Sequence, residues 1–451
     1  MIRSRSMRRF ALASILVVGL AGTAAANGRA PATSTIHFRQ GHEQDIAAGM
    51  TFGLVLSHDG GTTWQWVCED AVGYGGVWDP DYSYTASGAL FATTFNGLKV
   101  SRNAGCTFDS TPPGNLFVSA DELAANGEVT FASVDPTDDK VYKSTDDGMT
   151  FPTSTTPPGA MVNDWYSSLI YQQGSSTNVW LSGYRFVGNT KTLLVWKSTN
   201  GGGSFTSVTI NGITRSSSSS ALEIAGIDTA GNAYAIVTYP DGQVGGDVYR
   251  LAPAAAAWVQ IATYADGVSL LVRSNGDLVL GTPFNGAKQS TNLGTTWTPL
   301  ANAPHINCLA ENSAHEVWAC TRNYGDTTNP SDGFGIMKTT DLATWTGVLK
   351  YEDIQAPVPC AAGTVQKDTC EAQRWCINKQ QLGITSNAVD CSAVTTDGPS
   401  DGGGTDGSNV HVPGGDKDKG CCDTSSGGAA PMLMSLLVAG TLLRRRRAKE
   451  M

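Results

Sequence analysis

An eight-residue turn that keeps returning constrains the fold of this chain more than any other feature. It first reads Ser57-His58-Asp59-Gly60-Gly61-Thr62-Thr63-Trp64, then recurs with variation at residues 101–108, 144–151, 198–205 and 290–297. A copy one residue shorter covers 339–345, and a worn copy spans 249–258. With the worn copy the chain divides into seven units of about 45 residues; without it six remain, with an insertion between 205 and 290. The copies follow short apolar runs such as Gly53-Leu54-Val55-Leu56 and Gly97-Leu98-Lys99-Val100, whose alternation reads as strand. In each turn the Asp or Asn oxygen is expected to accept backbone N–H groups two residues on. Gly supplies the positive φ of a tight reversal, and the closing aromatic starts the returning strand.

Short strands in a unit of this length describe the blade of a propeller, which cannot bury both faces alone and therefore stacks around a ring. The pattern resembles the Asp-box (bacterial neuraminidase repeat) propellers, a superfamily that includes sialidases, some glucanases, sortilin-type receptors and photosystem assembly factors. The resemblance covers residues 34–352. It implies that Asp59, Asn103, Asp146, Asn200, Asn292 and Asp341 are turn acceptors. It makes Trp64, Phe108, Phe151, Phe205, Trp297 and Trp345 the packed aromatics, and it sets the turn between the third and fourth strands, away from the ligand face. The expected fold is an all-β propeller of seven four-stranded blades, or six, with little helix.

Residues 1–26 join a basic start, an apolar run from Phe10 to Ala21 and Ala24-Ala25-Ala26, the pattern of a secretory signal peptide. At the other end, Cys421-Cys422, a small-residue spacer, an apolar run over 429–443 and Arg444 to Arg447 form a three-part tail over 421–451. The tail resembles the C-terminal sorting tails of myxobacterial surface proteins, in which the Cys is the anchoring position; a plain membrane anchor is the alternative. Residues 392–420, rich in Gly, Asp, Ser and Thr, read as a flexible linker. Both ends predict an exported protein, held at the surface or released, that meets a membrane only through its tail. Outside the end segments 21 basic residues face 38 acidic ones, which argues against nucleic acid.

Apart from the tail pair, eight cysteines remain: Cys68, Cys106, Cys308, Cys320, Cys360, Cys370, Cys376 and Cys391. An even number in an exported chain implies disulfides. Cys308 and Cys320 fall on the first two strands of one unit and should pair, and Cys68 with Cys106 would staple neighbouring blades. The other four define a small cystine-tied appendix over 353–391. The cysteine spacings form no paired knuckles and the six His are scattered, so neither a metal nor another cofactor is expected.

Opposite the repeated turns, the loops between second and third strands carry Phe52, Phe95, Tyr184 with Phe186, Tyr239, Phe284 and Tyr324. The blade-to-blade loops add Tyr74, Trp78, Trp165 and Tyr166. A ring of exposed aromatics would stack on sugars or anchor a protein; the competing reading packs these rings inside their own loops. A sialidase would need an Arg triad, for which Arg39, Arg185 and Arg322 are the candidates, but Phe38-Arg39-Gln40-Gly41 lacks the Ile and Pro of that family's first-Arg motif. A glucanase-type hydrolase needs two carboxylates across a cleft, with Asp79, Asp81, Asp135, Asp164 and Asp326 as candidates. The reading that uses every feature present is a surface-displayed binding module for polysaccharide or a surface protein. No residue is assigned as catalytic; glycoside hydrolysis is the alternative.

Overall fold

The computed structural model describes residues 30–392, apart from 76–77, 136–137, 163, 189, 214–219, 240–244, 268 and 327. The signal peptide, the linker beyond residue 392, and the tail with Cys421 and Cys422 lie outside the described residues.

Seven antiparallel sheets, each of four strands consecutive in the chain, form the seven blades of a propeller ring. The innermost strands are Thr33–Phe38, Tyr82–Tyr84, Val118–Leu123, Asp164–Tyr171, Leu222–Ile227, Ser269–Val272 and Cys308–Glu311. Each packs against the next, and the last packs against the first, around the central axis. The worn copy joins the third strand Gly246–Leu251 to the fourth strand Val259–Tyr264, so it closes a genuine blade.

Every copy of the turn joins a third to a fourth strand. The acceptor reaches farther than two residues. Asp59 Oδ1 accepts the Thr63 N–H at 2.8 Å and Oδ2 accepts the Thr63 hydroxyl at 2.7 Å. Asn103, Asp146, Asn200 and Asn292 likewise accept the N–H four residues on, while the shorter turn returns Asp341 to Ala343 and Thr344. The leading Ser also works: Ser57, Ser101, Ser144, Ser198 and Ser290 Oγ each accept the N–H four residues later. These bonds, led by the Thr150 hydroxyl, hold the Asp146 carboxyl at about 2.

Two consecutive residues in each full turn take a left-handed conformation, and the second is Gly for a packing reason as well. A Cβ on Gly61 would lie 2.7 Å from Val348 Cγ1, and one on Gly148 would lie 2.5 Å from the Phe91 ring. Both contacts are to the preceding blade, so the turn is a wedge between blades as well as a reversal. Arg102 and Arg250 reinforce it by donating to the Asp147 and Leu293 carbonyls of the next turn. Trp297 Nε1 donates to the Ile261 carbonyl of the preceding blade, and Trp64 and Phe205 are buried.

Among the described residues four disulfides form. Cys308–Cys320 bridges the first two strands of blade 7, the expected pairing, and Cys376–Cys391 closes within the C-terminal segment. Cys68 and Cys106 do not pair with each other. Cys68 joins Cys370 and Cys106 joins Cys360, so the C-terminal segment itself staples blades 1 and 2. The segment is bound in other ways too. Ala356–Pro357 adds a parallel strand outside Gln65–Val67, Gln366 bonds the Cys68 N–H and the Trp66 carbonyl, and Trp375 packs on Trp66. Its helices, 366–374 and 375–381, are the main helical part of the described residues.

Candidate functional site at the channel mouth

In each blade the inner strand starts at the face opposite the repeated turns, because it pairs with the end of the second strand that leads into the second-to-third-strand loop. That face therefore holds the channel mouth and the loop aromatics. The rings do not form an exposed circle. Phe95 is 47% exposed and Phe284 41%. Tyr184 is fully buried with the Lys191 ammonium 4.6 Å above its ring. Phe52 and Tyr324 pack edge-on against buried Tyr351, and the Tyr324 hydroxyl donates to the Leu382 carbonyl of the C-terminal segment at 2.6 Å. These two rings help seal the junction of blades 7 and 1, where Tyr351 also meets Thr33 at 2.9 Å. Tyr239 is half-buried, and Tyr74, Trp78, Trp165 and Tyr166 are all buried. Phe95 stacks on Phe117 at 4.5 Å, above a cluster that Trp78 and Trp165 complete across blades 2 to 4.

The Arg triad is not assembled. Arg39 follows the inner strand to the turn face, where it pairs with Asp45 and donates to the Ala86 carbonyl. Arg185 clamps Asp164 with two bonds at 2.5 and 2.7 Å, and Arg322 lies over Phe284 at 5.0 Å. Of the candidate carboxylates, Asp164 is spent in that clamp and Asp326 caps its own loop through the Thr328 and Asn329 N–H groups. Asp79 lies half-buried beside Tyr74 and Tyr82. The side chain of Asp135 is outside the described set.

Asp81 is different. It stands at the start of the blade 2 inner strand, and three further acids on inner strands share its surroundings: Asp121 and Glu122 in blade 3 and Glu223 in blade 5. Burial raises Asp81 to about 6. Burial, then the Asp81 charge, raises Glu223 to about 7, and the same pair of causes lifts Glu122 to about 8. Solvent reaches Glu223 and 45% of the Asp81 side chain, so screening softens both shifts and their direction is what carries weight. Asp121 is only 3% exposed, and no donor meets its carboxyl in full hydrogen-bond geometry, the Ser83 hydroxyl being the group that acts on it. Burial and the charges of Asp81 and Glu122 push it well above the carboxylate range, with the Ser83 hydroxyl pulling the other way. His37 Nε2 sits 3.6 Å from Asp81, and burial lowers the imidazole to about 4, so it is neutral at pH 7.

Bulges at the mouth end of three inner strands add polar atoms to the wall. Ser34, Ser119 and Ser167 are the extra residues of the bulges in blades 1, 3 and 4, and each hydroxyl is buried without a partner. Sequence reading singled out only Asp81 from this group. Asp121, Glu122 and Glu223 belong to no motif, and the signal that finds them is a comparison of blades in register.

No family model matches the chain, and no curated protein matches it. Solved structures resemble it at low identity and with TM-scores under 0.5. The extracellular domain of BT4673 from B. thetaiotaomicron is 15% identical with a TM-score of 0.45, over 65% of this chain and 38% of that one. An ancestral GH74 enzyme is 16% identical with a TM-score of 0.47, over 68% and 46%. YCF48 bound to D1 peptide is 12% identical with a TM-score of 0.43, over 70% and 94%. The chain thus spans less than half the length of the first two. Among the described residues no helix is long and apolar enough to cross a membrane.

Proposed function

We propose that the protein is an exported binding propeller of the Asp-box type that takes a carbohydrate at the channel mouth opposite the repeated turns. The observation that carries this reading is the group of acids on or beside the inner strands at the mouth, Asp81, Glu122 and Glu223, that feel one another's charge, with Asp121 buried behind them under the Ser83 hydroxyl alone. Buried polar groups are ordinarily satisfied within the fold, and exceptions call for a function. Phe95 and Phe284 on the same face offer flat apolar surfaces of the kind sugars stack on. Disulfides that fasten the C-terminal segment to two blades suit an oxidising compartment and support export. Surface attachment through the tail completes the reading. The test is a glycan array probed with the purified protein beside Phe95→Ala/Phe284→Ala and Asp81→Asn/Glu223→Gln. Binding lost in both variants supports the reading; binding only to surface proteins, or unchanged binding in both variants, refutes it.

Glycoside hydrolysis is the second reading, favoured by one observation. Carboxyls held at about 6, 7 and 8 in one enclosure would supply an ionised and a protonated group together at neutral pH. Turnover of a bound glycan that disappears in Glu223→Gln or Asp81→Asn while binding persists would establish it.

A further inference from the structure

The segment after blade 7 is pinned at its base and reaches the channel mouth at its far end. Cys106–Cys360 ties the base to the blade 2 turn, and Cys68–Cys370 ties it to the end of blade 1, in one apolar cluster with Trp66 and Trp375. Beyond that base lies helix 375–381, and Cys376 on it pairs with Cys391, fifteen residues on. The loop inside this bridge is ordered by its own bonds. The Leu382 and Ile384 N–H groups donate to the Asn378 and Lys379 carbonyls, and Lys379 Nζ donates to Asn387 Oδ1. Leu382 and Ile384 are buried in the core cluster that also holds Tyr351.

The Leu382 carbonyl takes the Tyr324 hydroxyl at 2.6 Å, and Tyr324 belongs to the blade 7 mouth loop that follows Cys320. Two residues earlier in that loop, Arg322 donates to the Pro283 carbonyl at 2.8 Å and lies 5.0 Å over Phe284, an exposed ring of the mouth. A continuous path of contacts therefore runs from Cys376–Cys391 through Leu382, Tyr324 and Arg322 to Phe284. The bridge at the head of this path is open to attack. Cys376 and Cys391 are both half-buried, whereas Cys68 is 3% exposed and Cys370 is fully buried. Cys106 and Cys360 are half-buried too, but their bridge lies at the base, where Cys68–Cys370 holds the segment without it.

We propose that Cys376–Cys391 is a thiol–disulfide exchange site and that the loop it closes is a redox-sensitive cap on the blade 7 mouth loop. A dithiol supplies the electrons. One of its thiolates attacks a sulfur of the bridge, the S–S bond breaks and a mixed disulfide forms, which the second thiol of the reductant resolves. Two electrons and two protons pass to the cysteine pair, which becomes two thiols, while the dithiol becomes a disulfide. With the bridge open, the loop regains the chain entropy that closure removed, and the Leu382 carbonyl leaves the Tyr324 hydroxyl. Arg322 and Phe284 then lose their fixed position. The buried Cys68–Cys370 anchor keeps the segment in place, so a disulfide acting as oxidant restores the cap by the reverse exchange.

The experiment is graded treatment of the purified protein with dithiothreitol, with free thiols trapped by alkylation and mapped by mass spectrometry, and amide hydrogen exchange followed in the same samples. The expected result is alkylation of Cys376 and Cys391 before Cys68 and Cys370. At that stage the Arg322 and Asp332 amides of the mouth loop and the Leu382 and Ile384 amides of the cap should exchange about tenfold faster or more, with the blade strands unchanged. Reoxidation should restore the slow rates. Cys376→Ser/Cys391→Ser should exchange fast at these amides without reductant, and Cys106→Ser/Cys360→Ser should match the parent. Tyr324→Phe should speed Arg322 and Asp332 while the cap amides stay slow. Opening of Cys68–Cys370 together with Cys376–Cys391 overturns the proposal, as does an opened Cys376–Cys391 that leaves the Arg322 and Asp332 amides as slow as before.

Discussion

Replacing Asp121 by Leu should stabilise the protein, because the cross-strand register of the blades sets Ile36, Leu169, Ile224, Leu270 and Leu309 at its level in five of the others. The carboxyl is 3% exposed and no donor but the Ser83 hydroxyl acts on it, which costs about 1–3 kcal/mol for the under-satisfied group. Burying a leucine in its place returns about 1.5–3 kcal/mol, against about 1–3 kcal/mol if the larger side chain crowds its neighbours. The net at pH 7 is a gain of about 1–3 kcal/mol, or about 1–4 °C in melting temperature for a fold of this size. The sign with pH is equally defined. Asp121 is raised on folding, so its proton stabilises the native state fully below the ordinary 3.8, and that contribution is lost as pH rises toward the raised value. Leucine has no such loss, so the gap between the two proteins should widen by up to about 1.4 kcal/mol per pH unit above pH 4. Urea denaturation of both proteins from pH 4 to pH 8 measures it. A variant that is less stable than the parent by a gap constant with pH would mean that Asp121 is fully satisfied within the fold, and the reasoning fails.

Three other perturbations test separate parts of the account. Glu122 rises from 4.5 to about 8 on folding, so its stabilising proton is lost through pH 8; between pH 6.5 and 8.5 the parent should lose about 1–2 kcal/mol that Glu122→Gln keeps, as read from thermal melts. His37 cannot mask this, since its own contribution changes only below 6.5. In the turns, Gly148→Ala should cost about 2 kcal/mol or more because its Cβ would strike Phe91, while Leu293→Gly should gain about 0.5–1 kcal/mol by relieving a left-handed leucine, both by chemical denaturation. Replacing Cys106 and Cys360 by Ser should cost about 2–4 kcal/mol in urea, since with Cys68–Cys370 intact that bridge closes a path of only about 50 residues.

The architecture was legible because its signal is local and repeated. Ser-x-Asp-x-Gly-x-Thr-Trp declares a reversal within eight residues, and the spacing of its copies sets the blade count. The longer reach of Asp59 and Asn103 was not legible, since it depends on two successive left-handed residues that the sequence shows only where both are Gly. Long-range pairing was equally hidden: Cys68 and Cys106 sit near each other in sequence, but the chain after blade 7 returns to blade 1 and offers Cys370 and Cys360 at disulfide distance. The aromatic ring failed as an expectation because loop position does not decide burial; Tyr324 is covered by a segment that arrives 58 residues later. The acids of the channel carry no motif, and a single Asp in a strand looks like noise until six other blades show Ile, Leu or Tyr at its level.

The most direct test of the channel mouth as a ligand site is a carbon-13 NMR titration of the Asp and Glu carboxyls in the purified protein, with and without a glycan that it binds on the array. The account predicts that Glu122 and Glu223 titrate above 6 in the free protein and that the bound glycan shifts both. Both groups titrating below 5, unmoved by the glycan, would contradict it.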